Sequence, residues 1–405
     1  MKKKIIFIHN ALWIGGIETA LVSILNRIDY DRYDVTCLIT SDNQQMSKNI
    51  PKVCKLIFAD RYHTVSFSSP YKFAKLFGFI DACNYSTGIK TIKNRIARFF
   101  FRNLEEWLYG RYIARNLSDT HFDTAVIYSS KVAGLTLRSV TADNYISFYH
   151  YSDLRRVYHD NFGYDASSHI FAVSKNMADR LKEFMPKYRS KISEIHNLVD
   201  AERIRNKSKE TQDLFAKDSF NIVSCGRLVD DKGFDLAINA CRILTQSGFN
   251  RIQWYIIGEG PDKVKLCNLI SAENLDETVH MVGVKANPYP YIGQADLFVQ
   301  SSRIESFGLT ITEALVLEVP VISTKTDGGR EIITDGVNGV LCDTSAESIA
   351  DAIERVISDD DFRKRLSENA AKIDFEGEER NLSGMGKFMS STDRDVRIKA
   401  SNAYY

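Results

Sequence analysis

The chain has 405 residues, of which 44% are hydrophobic and 26% charged, an ordinary globular usage that argues against a disordered or fibrous chain. Lys and Arg number 53 against 52 Asp and Glu, for a formal net charge of +1. That balance speaks against a wholesale nucleic-acid coat and leaves room for a local basic patch.

Lys2, Lys3 and Lys4 before Ile5, Ile6, Phe7 and Ile8 imitate the start of a signal peptide. His9 and Asn10 end the apolar run, Glu18 falls where it would have to continue, and no small-residue cleavage site follows. The stretch 4–8 is therefore predicted as a short buried strand, and the protein as cytoplasmic. Helical spacing follows over 17–28. Strand-like runs recur at 34–39, 123–128, 144–149 and 168–173, and again at 220–225, 252–257, 278–282, 296–300 and 319–323. Helical patterns separate them, and such alternation implies parallel sheets covered on both faces. Residues 202–218 are polar, charged and without an apolar period, which predicts a linker. The expectation is two doubly wound α/β domains, 1–200 and 201–372, facing a central cleft at the carboxyl ends of their strands. The tail 373–405 has only weak periodicity.

Two further features frame the function. The cysteines (Cys37, Cys54, Cys83, Cys225, Cys241, Cys267 and Cys342) are scattered and contain no C-x-x-C, which argues for a reducing compartment and against a zinc site. The stretch 89–117 carries seven Lys or Arg against two Glu, interleaved with Phe99, Phe100, Phe101, Trp107, Tyr109 and Tyr112. It suits peripheral contact with an anionic membrane through residues such as Arg95, Arg98 and Arg102. It equally suits a long helix packing an aromatic stripe on the first sheet.

The densest chemical signal lies in the second half. Gly226-Arg227 follows the strand 220–225, and Lys232-Gly233 precedes a helical run from Phe234. A guanidinium, an ammonium and a helix N-terminus at a strand end make an anion site; the alternative is a solvated surface turn. Gly258-Glu259-Gly260-Pro261 ends the next strand, where glycines let backbone approach a ligand, and Met281-Val282-Gly283-Val284 repeats the pattern. Glu305 in Glu305-Ser306-Phe307-Gly308-Leu309 and Glu313 straddle a loop-to-helix corner. Glu313 suits a ribose diol or, alternatively, a helix cap, and Glu305 suits a sugar hydroxyl or a developing positive charge. In the first half, Gly15-Gly16 opens the helix 17–28, and His150, with Asp153 three residues on, ends the strand 144–149. His150 either meets a substrate hydroxyl or packs at the strand end.

No H-x-x-x-H, G-x-S-x-G, P-loop or G-x-G-x-x-G motif is present, and the triplets Asp359-Asp360-Asp361 and Asp393-Arg394-Asp395 end no buried strand. No metal ligand set is expected.

Gly15-Gly16-Ile17-Glu18, Gly226-Arg227-Leu228-Val229-Asp230-Asp231-Lys232-Gly233, Gly258-Glu259-Gly260-Pro261 and Glu305-Ser306-Phe307-Gly308 with Glu313 stand together in this order. With Val173-Ser174-Lys175 and Asn197-Leu198-Val199-Asp200, they resemble glycosyltransferase family 4, retaining enzymes of the GT-B fold. The resemblance covers about residues 1–370 and implies two Rossmann-like domains, the first binding the acceptor and the second the nucleotide sugar. It implies retaining transfer from a nucleotide-diphosphate sugar, a UDP-sugar by family habit, with no cofactor and no divalent metal. Arg227 and Lys232 would hold the diphosphate and Glu313 the ribose. Glu305 and His150 would face the donor sugar. Gly15, Gly16, Gly258, Val282 and the Phe307-Gly308-Leu309 backbone would line the donor. The acceptor would be a saccharide or lipid-linked saccharide of surface-polysaccharide assembly, and no nucleic acid is involved. An epimerase or phosphorylase of the same fold, or a non-catalytic nucleotide-sugar-binding protein, are the alternatives.

Overall fold

The computed structural model describes residues 1–59, 121–150, 161–210 and 218–373, except 42 and 130–131, together with Gly110, 113–115, Leu117, Tyr151, Leu154 and Phe215. Most of the stretch 89–117, Cys83, Asp153 and the tail beyond Ile373 lie outside the described residues.

The first unit runs β1 (Lys3–His9), α1 (Gly16–Arg27), β2 (Tyr33–Ile39), β3 (Lys55–Phe58), β4 (His121–Ile127), α2 (Ala133–Ser139) and β5 (Thr141–Tyr149). It continues through α3 (Asn161–Ala166), β6 (His169–Ala172), α4 (Lys175–Phe184) and β7 (Ile192–Glu194), and α5 (Ala201–Ser208) follows. The second unit runs β8 (Phe220–Cys225), α6 (Phe234–Gln246), β9 (Ile252–Ile257), α7 (Lys263–Ala272), β10 (Val279–Gly283), α8 (Tyr289–Gly293) and β11 (Leu297–Gln300). It ends with α9 (Leu309–Val316), β12 (Val321–Thr324), α10 (Asp327–Ile332), β13 (Val340–Cys342), α11 (Ala346–Ser358) and α12 (Asp360–Ala370).

Two parallel sheets result, ordered β3-β2-β1-β4-β5-β6-β7 and β10-β9-β8-β11-β12-β13. Their strands read as continuous apolar runs because both faces are covered. In the second sheet Ile222, Trp254 and Leu297 point into one core, while their neighbours Val223, Tyr255 and Phe298 point into the other. In the first sheet Ile5 and Phe7 oppose Ile6 and Ile8 in the same way.

Three strands went unseen in the sequence: β3, β7 and β13. Each is an edge strand of three or four residues. A strand paired on one side needs only a few apolar positions, too few to show a period.

The predicted linker 202–218 is corrected at its start. Residues 201–208 form helix α5, whose N-cap Asp200 accepts a hydrogen bond from the Arg203 N–H at 3.0 Å. Only Ala201 and Ile204 are buried, and they join the core beneath α8 and α9. Two apolar contacts in one turn give no readable stripe, yet they dock the helix. Asp200→Ala should lower unfolding stability by about 1 kcal/mol through the lost cap, and Asp200→Asn, which can still cap, by less. Urea denaturation of the pair checks this, and equal losses would mean that the cap contributes nothing.

Candidate active site

Each sheet reverses its strand order once, between β1 and β4 in the first and between β8 and β11 in the second. Loops leaving the strands on either side of such a point diverge and open a crevice at the carboxyl ends.

At the second crevice, β8 leads into Arg227, an exposed residue whose guanidinium makes no hydrogen bond or ion pair among the described residues. The turn Asp230–Lys232 follows and is reversed by Gly233 at φ 62°. A Cβ at Gly233 would sit 2.1 Å from the Ser301 carbonyl oxygen, so only glycine allows the β8 and β11 loops to meet. Lys232 thereby reaches Glu305, with Nζ 2.5 Å from Oε2. Gln300 braces the pair: its amide nitrogen lies 3.4 Å from the same carboxylate oxygen and 2.6 Å from Ser302 Oγ. Its carbonyl oxygen accepts from Thr310 Oγ1 at 2.9 Å.

Gly258 and Gly260 pack against the loop that follows β8. A Cβ at either would come within 1.9 Å of the Gly226 carbonyl oxygen or 2.3 Å of the Leu228 carbonyl oxygen. The two loops are joined by hydrogen bonds from Gly226 N–H to the Ile257 carbonyl and from Leu228 N–H to the Glu259 carbonyl, both 2.9 Å. These glycines thus fix the height of the Arg227 loop. Val282 occupies the register shift between Met281 and Gly283 in β10 and packs against the core of Tyr255, Ile257 and Tyr289.

Glu313 does not cap its helix. The N-cap of α9 is Gly308, at φ 88°, with no side-chain hydrogen bond. Glu313 lies in the second turn, 7% exposed, and accepts a hydrogen bond from Tyr289 Oη at 3.1 Å. Burial pushes its carboxyl up to about 7, against the opposing pull of the Tyr289 hydrogen bond and the Arg203 charge. Phe307 is buried, with its ring 5.6 Å from that of His196.

The first crevice faces this one. Gly15 caps α1 without a side-chain hydrogen bond, and a Cβ on Gly16 would lie 3.3 Å from Leu309 Cδ1. The N-termini of α1 and α9 therefore meet across the units, each with first-turn N–H groups that no side chain caps. By contrast α4, α5, α10, α11 and α12 are capped by Ser174, Asp200, Thr326, Ser345 and Asp359. Asp359, from the first acidic triplet, is thus a helix cap.

His150 follows β5 and is stacked on Phe148 at 5.7 Å, with Tyr128 at 4.6 Å. Burial, then nearby His9, lowers its pKa to about 3, so the ring is neutral. One ring nitrogen bonds the Tyr128 main chain, and Nε2 has no partner among the described residues. Because a carbonyl can only accept, Nδ1 carries the proton and Nε2 is left as an acceptor.

A cavity between the units is lined by Thr19 and Ser23 of α1, Asp200, Arg203 of α5, Tyr289, Leu309 and Glu313, among others. Among the described residues no group of three or more His, Cys, Asp or Glu is gathered as metal ligands, and no described helix is long and apolar enough to cross a membrane. The six described cysteines are free thiols.

Solved structures share this architecture. HepE from Anabaena, crystallised with UDP and glucose, aligns with a TM-score of 0.69 at 17% identity over 95% of this chain and 99% of its own. A glycosyltransferase from Rickettsia africae aligns with a TM-score of 0.66 at 16% identity over 96% and 99%. The fold is GT-B.

Within this GT-B chain, residues 206–373 match the family model described as glycosyl transferases group 1. Among curated proteins, the alpha-D-kanosaminyltransferase of Streptomyces kanamyceticus is 29% identical over 180 residues, 44% of this chain and 46% of that protein. The N-acetylgalactosamine-N,N'-diacetylbacillosaminyl-diphospho-undecaprenol 4-alpha-N-acetylgalactosaminyltransferase of Campylobacter jejuni is 32% identical over 200 residues, 48% and 52% of the two chains. The chain thus spans about half the length of the curated relatives it matches.

The structure brings Lys232 and Glu305 together, places Glu313 in the cavity between the units and sets Gly16 against Leu309. Sequence reasoning missed Tyr289, Arg203 and Gln300; Glu18, which it named as part of the Gly15-Gly16-Ile17-Glu18 motif, lies 3.3 Å from His9. None of the three missed residues sits in a glycine-rich turn, and only the packing reveals them.

The raised Glu313 carboxyl has a stability consequence. Between pH 4.5 and about 7 the folded chain keeps a proton that the unfolded chain has lost. Stability therefore falls as pH rises through that window, and the penalty is complete above it. Glu313→Gln should stabilise the ligand-free protein by up to about 3 kcal/mol at about pH 8 and by progressively less toward about pH 5. Thermal melts at the two pH values check this, and a gain independent of pH would contradict it.

Proposed function

We propose that the protein is a retaining glycosyltransferase that moves a sugar from a UDP-sugar to a saccharide acceptor without a divalent metal. The cations at the β8/β11 switch point carry this reading: Arg227, exposed and without a partner among the described residues, and Lys232, held by Glu305, with the N-termini of α1 and α9 meeting at Gly16 and Leu309. The family match over 206–373 supports glycosyl transfer.

In this reading Arg227 and Lys232 hold the diphosphate, and the α1 and α9 N-termini at Gly15-Gly16 and Gly308-Leu309 border it. Glu313 accepts the ribose hydroxyls, and Glu305 and His150 face the sugar. The bond from anomeric carbon to phosphate oxygen breaks with its electron pair left on UDP. The acceptor oxygen forms its bond on the same face and gives its proton to the departing phosphate. Negative charge grows on the phosphate and positive charge on the ring. Fixed cations and oriented N–H groups stabilise the first without reorganising, and Glu305 stabilises the second.

The acceptor is a lipid-linked saccharide of surface-polysaccharide assembly. The Campylobacter relative's name, with its diphospho-undecaprenol carrier, supports this, as does the basic-aromatic composition of 89–117.

Arg227→Ala should cut turnover of UDP-sugar and acceptor about 100- to 1,000-fold with an unchanged melting temperature, because Arg227 is exposed. Near-normal turnover would sink the proposal. Replacing Arg95, Arg98 and Arg102 by Glu should weaken sedimentation with anionic vesicles, and undiminished binding would remove the membrane contact.

A further inference from the structure

We propose that Tyr289 is a positioning residue for the nucleotide: its hydroxyl holds one oxygen of the Glu313 carboxylate, favours its ionised form and leaves the other oxygen for the ribose, and so couples donor binding to pH. The inference rests on the nucleotide-sugar reading above and assigns a device within it.

The geometry begins one helix away. Asn287 Nδ2 donates to the Lys207 carbonyl of α5 at 3.0 Å, and Asn287 Oδ1 accepts from the Tyr289 N–H at 3.3 Å. This chain of bonds ties the start of α8 to α5, the helix that carries Arg203. Tyr289 is itself buried at 7% exposure, so its ring has little freedom. Its hydroxyl points at Glu313 Oε1, and Oε2 makes no hydrogen bond among the described residues. One carboxylate oxygen is thus held from behind while the residue lines the cavity between the units.

Among the described residues, few charged and titratable groups surround Glu313. Arg203 faces it from α5, Tyr289 from α8 and Cys225 from β8. Asp200 also lines the cavity, with Arg27 of α1 3.9 Å away; Thr19, Ser23 and Leu309 bring no charge. Burial favours the neutral acid. Burial and the Glu313 charge raise the Tyr289 pKa far above neutrality, so its hydroxyl stays a donor and favours the ionised acid. An ionised carboxylate accepts from both hydroxyls of a ribose diol, whereas a protonated one loses an acceptor and gains a competing donor. Removing the Tyr289 hydroxyl leaves burial opposed by Arg203 alone.

The test compares wild type, Tyr289→Phe and Glu313→Gln by calorimetric binding of UDP-glucose between about pH 5.5 and about pH 8.5, since this diphosphate diester has no ionisation near neutrality and Glu313 is tuned to titrate there. Wild-type affinity should weaken toward acid with a midpoint near 7. In Tyr289→Phe the midpoint should rise by about one pH unit, giving up to about tenfold weaker binding near neutrality and convergence with wild type at the alkaline end. Glu313→Gln should bind weakly at every pH. In parallel, 13C-carboxyl NMR of the nucleotide-free protein, with Glu313 assigned by its absence in Glu313→Gln, should show the same upward move. An unmoved midpoint in both measurements overturns the role of Tyr289, as does a pH-independent loss of affinity in Tyr289→Phe. No binding of UDP-glucose by wild type overturns the nucleotide reading and the coupling with it, whereas binding with an unmoved midpoint overturns the coupling alone.

Discussion

The contact between Lys232 and Glu305 closes the crevice of the second sheet at its base. It joins loops that leave the second sheet on opposite sides of its switch point and would otherwise diverge. Around it, Ser301 Oγ donates to the Lys232 carbonyl at 3.1 Å, and the Arg303 N–H donates to the Asp231 carbonyl at 2.8 Å. Arg303 adds a two-pronged pair with Asp235, at 2.7 and 2.6 Å. The crevice floor is therefore stitched, while Arg227 at its lip stays free of described partners.

A second set of contacts holds the two units against each other. The Lys175 N–H donates to Glu331 at 3.1 Å from the first turn of α4, and His196 lies 2.9 Å from the same carboxylate. Asn176 donates to Asp327 at 2.9 Å, and Arg180 pairs with that aspartate too. The carboxylates of α10 thus sit at the positive end of α4, where the helix dipole favours them. The close packing of Gly328 on the Phe307 backbone ties α10 to the loop carrying Glu305. The Gly328 N–H also donates to the Glu305 carbonyl at 2.9 Å, so the helix that meets the first unit is bonded directly to that loop.

The sequence reading located most central strands, because a strand buried on both faces is a plain apolar run. It located Arg227, Lys232, Glu305 and the glycines, because turns at strand ends are short and chemically marked. It was blind to β3, β7, β13 and α5, whose burial is confined to a few residues on an edge or a single turn. It did not show that Gly258 and Gly260 also pack against the Gly226–Leu228 loop, where a Cβ would clash.

Local patterning by itself determined two parallel-sheet units and a set of charges at their strand ends, since apolar runs and glycine turns are properties of neighbouring residues. Which charges pair, which stay free and which acid is buried were decided only by the tertiary structure. Tyr289 and Glu313 are 24 positions apart, and Lys232 and Glu305 are 73. Whether a carboxylate is solvated, paired or held near neutrality by burial depends on neighbours that only folding brings within reach.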